Sequence, residues 1–120
     1  MTTQEVADRL VELCRQGKIE ETIKELFAEN ATSTEASDMM GPRTVEGLPA
    51  IFKKGEQFNS MVEEFHGATI SDPIVCGSHF SIAWTLDATM KGRGRSTMEE
   101  ICVYKVKDSK IVSEQFFYDF

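Results

Sequence analysis

Metal-ligand spacings, paired cysteines, long apolar runs and a basic surplus are all missing from this 120-residue chain. Its two histidines, His66 and His79, are far apart, and no His/Asp/Cys cluster has the spacing of a metal site. No metal is expected. The glycine-rich turn "GRG" at 92–94 is too short for a phosphate loop and leads into a hairpin rather than a helix, so no cofactor is implied. The three cysteines, Cys14, Cys76 and Cys102, form neither an even set nor a short-spaced pair. That argues against a disulfide framework and for reduced, mostly buried thiols in a cytoplasmic protein. The opening "MTTQEVADRL" lacks the basic start and apolar stretch of a signal peptide. No apolar run approaches the roughly 20 residues that span a membrane. Lys and Arg total 13 against 20 Asp and Glu, a formal net charge of −7. A field of that sign repels nucleic-acid phosphates and anionic membrane surfaces, so neither is an expected partner.

What is present is the composition of an ordinary soluble protein, 41% hydrophobic and 28% charged, at a length that suits one domain over 1–120. "TTQEVADRLVELCRQG" predicts a first helix. Thr2 and Glu5 have capping-box spacing, Val6, Leu10, Leu13 and Cys14 recur at helical spacing, and Gly17 is a stop. "KIEETIKELFAEN" predicts a second helix, with Ile19, Ile23, Leu26 and Phe27 inward and Asn30 as its stop. The one-glycine join implies a tight helical hairpin. "ATSTEAS" (31–37) reads as a strand and "DMMGPR" as a loop. A third helix starts near Gly47, with Pro49 in its first turn, where a missing N–H costs nothing. Leu48, Ile51, Phe52, Gly55, Phe58 and Met61 mark its buried stripe. From Val62 the period becomes two. Strands are predicted over 63–71, 78–91, 96–106 and 111–119, separated by "SDPIVCG", "KGRGR" and "KDSK". Helices followed by an antiparallel meander indicate an α+β fold, with the helices on one face of a curved sheet.

The alternation assigns faces to these strands. Over 78–91, Phe80, Ile82, Trp84, Leu86, Ala88 and Met90 form a continuous apolar set, which must be core or pocket lining. The opposite set, from His79 to Thr89, suits solvent or a polar dimer interface. Over 96–106, the set that avoids lysine is Ser96, Met98, Glu100, Cys102, Tyr104 and Val106. It is the better inward face, yet it carries a carboxylate, Glu100. Ile101 and Val103 on the other face are also good core residues, and a one-residue slip or a bulge would turn Glu100 to solvent. Over 111–119 both sets are mixed, and period alone does not choose between them.

The segments "IKELFAENATSTEA", "RTVEGLPAIFKKG", "HFSIAWTLDATMKGRG" and "EEICVYKVKDSKIVSEQFFYD" resemble the nuclear transport factor 2-like superfamily, and within it the SnoaL-like proteins. The resemblance covers nearly the whole chain. It implies a cone-shaped, cystatin-like α+β barrel, in which N-terminal helices pack on a strongly curved, mostly antiparallel sheet. The open end holds a small-molecule pocket, and the outer sheet face commonly makes a homodimer. The superfamily includes isomerases, cyclases, dehydratases, epoxide hydrolases and non-catalytic domains, so the fold does not decide the activity. By its distance from "LFAENAT", Glu35 matches the general-base aspartate of ketosteroid isomerases. There a carboxylate removes a proton beside a carbonyl, while a tyrosine and a protonated aspartic acid hold the oxyanion. In this chain the tyrosine position falls near Leu10 and the aspartate position on Cys102, with Glu100 one pleat away. The resemblance also turns Glu114, Phe116 and Tyr118 inward. The Asp-Arg-Asp set of the related epoxide hydrolases finds no inward arginine, since Arg93 and Arg95 lie in a turn.

Glu35 and Glu100 are therefore the candidate catalytic residues, and Trp84, Tyr118, Phe116, Cys102, Glu114 and His66 the candidate ligand-binding residues. Plainer roles stand beside these. Glu35 also fits a strand-edge carboxylate in solvent, Glu114 a salt-bridge or rim residue, and His66 a structural histidine. Met39, Met40, Met61, Met90 and Met98 suit a soft apolar lining or plain core. Two functions are consistent with the residues. One is a homodimeric module with an apolar small-molecule pocket. The other is a small-molecule isomerase, cyclase or hydrolase using Glu35 as general base.

Overall fold

Residues 1–39 and 41–119 are described by the structure, a computed structural model. Helix α1 (Thr3–Arg15) begins on the predicted capping box. Thr2 Oγ1 accepts from the Glu5 N–H at 3.1 Å, and the Glu5 carboxylate accepts from the Thr2 N–H at 2.9 Å. Its stripe of Val6, Leu10, Leu13 and Cys14 is buried as predicted, and Ala7 and Val11 join it. Helix α2 (Ile19–Leu26) stops earlier than its apolar spacing suggests. Phe27 is extended, with φ −91° and ψ 141°, and opens strand β1 (Phe27–Thr34) by pairing with Ile111. Phe27 is buried in either conformation, so its hydrophobicity could not mark the boundary. Ile19, expected inward, is exposed, and Thr22 joins Leu26 on the buried side.

Two short strands also form: β2 (Thr44–Glu46), between the predicted loop and the third helix, and β4 (Ile74–Cys76), inside a segment read as a turn or short loop. Between them lie α3 (Leu48–Met61) and β3 (Val62–Ile70). The meander ends with β5 (His79–Met90), β6 (Gly94–Lys107) and β7 (Lys110–Phe117). The β6–β7 turn places Asp108 and Ser109 at φ 52° and 65°, the backbone of a two-residue hairpin whose twist matches its strands.

The sheet runs β2-β1-β7-β6-β5-β3, with β4 paired to β5. β1 and β7 are parallel, and the other pairs are antiparallel. All three helices lie on one face. α1 crosses β3, β4 and β5, α2 lies against α1 and β1, and α3 covers β1, β2 and β3. The core between helices and sheet is built on Val6, Leu10, Leu26, Phe80, Cys102, Tyr104 and Ile111. Phe80 and Tyr104 stack there at 4.8 Å between ring centres. The stripe predicted for α3 is only partly covered: Ile51 is buried, whereas Phe58 is exposed. No helix among the described residues is long and apolar enough to cross a membrane.

The register answers the question raised by Glu100. Cys102, Tyr104 and Val106 are buried, while Ile101 is 53% exposed on the outer face. Glu100 therefore belongs to the inward set. On β7 a register shift between the Lys105 and Val106 pairings puts Ile111 and Glu114 on the same, inner side, although they differ by an odd number of residues. That shift is why strict alternation described neither face well.

Candidate active site

Ser33 is fully buried near the end of β1, and Glu35 follows that strand's last residue. The Glu35 N–H donates to Arg43 O at 2.7 Å, which fixes the exit of the chain. Helix α3 is anchored to the same strand. Gly47, its N-cap, has φ +92°, which a side chain other than glycine rarely adopts, and its N–H donates to Ala31 O at 2.8 Å. Lys54 lies two turns further along α3 and reaches the end of β1. Its ammonium donates to Ser33 Oγ at 2.5 Å and to Glu35 Oε2 at 3.0 Å, and lies 5.1 Å from the centre of the Phe116 ring. Ser33 Oγ in turn donates to Glu114 Oε2 at 2.6 Å. From beyond β7, the Tyr118 hydroxyl donates to Glu35 Oε1 at 3.3 Å.

Glu100 stands directly opposite Trp84 in the β5–β6 ladder, and Cys102 opposite Phe116 in the β6–β7 ladder. The Cys102 thiol donates to Glu100 Oε1 at 3.5 Å. An open hollow of about 590 Å³ is lined by Trp84, Glu100 and Tyr118 and by the outer-face residues Ala83, Thr85, Glu99, Ile101 and Phe117.

Burial pushes the Glu100 carboxyl up to about 7. The Cys102 hydrogen bond and the Lys54 charge oppose that rise, and the Glu35 charge adds to it. Burial likewise pushes Glu114 up to about 7, against the Ser33 hydrogen bond and Lys54 and reinforced by Glu35 and Glu100. The Tyr118 hydroxyl is raised by burial and then by the charge of Glu35. The Cys102 thiol is pushed far up by burial and the neighbouring Glu100, which leaves it inert as a nucleophile. The site thus sets an ion-paired carboxylate near a carboxyl that burial raises toward neutral pH. Such a pair can accept one proton and offer another.

Of the residues singled out in the sequence, Trp84, Glu100 and Tyr118 line the hollow, Cys102 bonds Glu100, and Glu35, Phe116 and, through Ser33, Glu114 meet at Lys54. His66 is not brought to them. A register shift in β3 between Phe65 and Gly67 turns it to the outer face, where its Nε2 lies 2.7 Å from Thr89 Oγ1. Arg95 is also on that face, paired with Asp87 at 3.0 Å. Met90 is core and Met39 is exposed, and Met40 lies outside the described residues. No group of three or more His, Cys, Asp and Glu among the described residues could hold a metal ion. Lys54 and Ser33 were not singled out in the sequence. Lys54 did leave a signal there: it falls on the helical stripe of Ile51 and Phe58, at spacings of three and four, where a charge needs a partner.

Solved structures share this architecture. A candidate SnoaL-like polyketide cyclase from Mesorhizobium loti is 34% identical, with a TM-score of 0.90 over 98% of this chain and 100% of that one. A cystatin-like protein from Xanthomonas campestris is 14% identical, with a TM-score of 0.84 over 100% of this chain and 92% of that one. A protein with the ketosteroid isomerase-like fold from Catenulispora acidiphila, in complex with trimethylamine, is 22% identical. Its TM-score is 0.74 over 99% of this chain and 88% of that one. The fold is thus the cone-shaped α+β architecture that the resemblance implied. No curated protein matches the sequence. The sequence matches the SnoaL-like domain over residues 1–118, and the chain belongs to that family.

Proposed function

We propose that this chain is a homodimeric enzyme whose pocket moves a proton on a small carbonyl compound, with Glu35 as the base and Glu100 as the acid. The observation that carries this reading is the geometry around Tyr118. Tyr118 binds Glu35 and lines the same hollow as Glu100 and Trp84. Tyr118 thus links the base to the hollow that the acid lines. Glu35 would take a proton from carbon beside the carbonyl, and Glu100 would donate a hydrogen bond to the carbonyl oxygen. Isomerisation and ring closure both begin with this step. The 34% identity to a candidate polyketide cyclase supports the same class of chemistry.

A ligand-holding module without chemistry is the second reading. It is favoured by Leu10 and Cys102, which occupy the two positions where the resemblance would place oxyanion donors. Phe80 and Tyr104 stack in the buried core, which would hold a ligand at the mouth of the cone and not in its depth. Dimerisation is supported by the outer sheet face. Phe117, Ile101 and Ala83 form one row across β7, β6 and β5 there, and Val103, Ser81 and Ile74 form the next. Ile101, Phe117 and Ile74 are exposed in a single chain.

The two readings separate by solvent exchange. Protein incubated in deuterium oxide with a panel of small ketones and β-ketoesters should speed deuterium uptake beside the carbonyl, read by proton NMR. Glu35→Gln should slow that uptake by about 100-fold or more. Uptake at the buffer rate throughout the panel, or unchanged uptake with Glu35→Gln, excludes the enzyme.

A further inference from the structure

We propose that Lys54 is a catalytic residue of this chain. Its ammonium receives the oxyanion formed when Glu35 takes a proton, and so selects carbonyl compounds and phenols that ionise at oxygen. This rests on the proton-transfer reading above and names a second group, besides Glu100, that holds the developing charge.

Three observations carry it. First, Lys54 is paired with the base at 3.0 Å, its side chain 24% exposed beside a Glu35 side chain that is 28% exposed. An ammonium has three donors. Two are used, on Ser33 and Glu35, and no hydrogen-bond partner for the third appears among the described residues.

Second, Lys54 has an anchor that does not depend on Glu35. Ser33 accepts from Lys54 and donates to the buried Glu114, and the Phe116 ring lies beside the ammonium. When Glu35 is neutralised, Lys54 stays in place.

Third, the charge balances. Before the step the site holds Lys54 as a cation and Glu35 as an anion. In the step the substrate C–H bond breaks, its electrons pass through the new C=C bond to the carbonyl oxygen, and the proton goes to the Glu35 carboxylate. Lys54 would then be left without its adjacent counter-charge in a half-buried site. The enolate oxygen replaces it, so one ion pair is exchanged for another and the net charge of the site is unchanged. A fixed cation of this kind stabilises charge where it develops, the largest single contribution in many enzymes. It also supplies what Leu10 and Cys102 do not.

Replacing Glu35 by Gln holds the site at the stage after proton transfer and gives a direct test. The probe is 4-nitrophenol, whose ionised form absorbs differently from its neutral form, with 4-nitroanisole as the uncharged control. Binding is followed by the fluorescence of Trp84, the one tryptophan. Glu35→Gln should bind the phenolate more tightly than the unaltered protein does. Adding Lys54→Met or Lys54→Gln should weaken phenolate binding by about tenfold or more, and adding Lys54→Arg should preserve most of it. Affinity for 4-nitroanisole should change less than about twofold across all variants, which also reports that they fold. A phenolate-to-anisole affinity ratio unaffected by Lys54→Met and Lys54→Gln overturns the role of Lys54. If that ratio is unaffected while Glu35→Gln still abolishes deuterium uptake, only Lys54 is reassigned. If neither probe binds any variant, the pocket reading falls with it.

Discussion

Replacing Glu114 by Gln should remove a large part of the pH dependence of this protein's stability. Glu114 is 7% exposed, and its carboxyl is raised from 4.5 to about 7, chiefly by burial. The folded state therefore binds this proton more tightly than the unfolded state does. Between the two values the folded protein carries the extra proton, so stability falls as pH rises through that window and the loss is complete above about 7. At 1.36 kcal/mol per pH unit, the rise corresponds to roughly 3 kcal/mol. Glutamine keeps the oxygen that accepts from Ser33 and removes the titration. The lowered Glu5, Glu25 and Asp87 remain in both proteins and cancel in the comparison, whereas Glu100, whose charge acts on Glu114, contributes to the difference. The assay is urea unfolding of both proteins from about pH 4.5 to pH 8, followed by Trp84 fluorescence. The stability of the unaltered protein, minus that of Glu114→Gln, should fall by about 3 kcal/mol across that range. A difference that holds constant within about 0.5 kcal/mol would show that Glu114 is not a buried, raised acid, and the network with Ser33 and Lys54 would need another account.

Other outcomes follow from the same structure. Light scattering at micromolar concentration should give twice the 13.5 kDa chain mass, and Phe117→Glu, which places a charge in the exposed outer row, should give the single-chain mass. A single-chain mass for the unaltered protein would refute the dimer. Thr2→Ala should cost about 1 kcal/mol by removing the side-chain half of the capping box, and Thr2→Ser should restore most of it. Thermal unfolding should show the loss as a fall in Tm of roughly 4 °C.

The elements that were legible in the sequence each bury one continuous face between clear stops. α1 shows its cap, its apolar stripe and its glycine. β5 shows six alternate apolar residues between two turns. In such segments a local period is enough, because every residue on the stripe meets the same environment. The inward set of β6 was legible for the same reason, down to Glu100, since burying two lysines would cost more than burying one carboxyl that can keep its proton.

Where the environment comes from a distant strand, the local pattern was not enough. Phe27 satisfies a helix and a strand equally, and pairing with Ile111 decides between them. The faces of β7 depend on a register shift against β6, and the position of His66 on one against β5. Glu35 was visible through family resemblance, but its partners were not. Lys54 lies 19 residues along the chain from Glu35, and Tyr118 lies 83. The chain alone determined that Glu100 shares the lysine-free face of its strand and roughly where the sheet begins. The tertiary structure alone decided which of the site's carboxylates holds an ion pair and which are raised by burial. That choice depends on burial and on charges brought together across α3, β1, β6 and β7, and no segment carries those distances within itself.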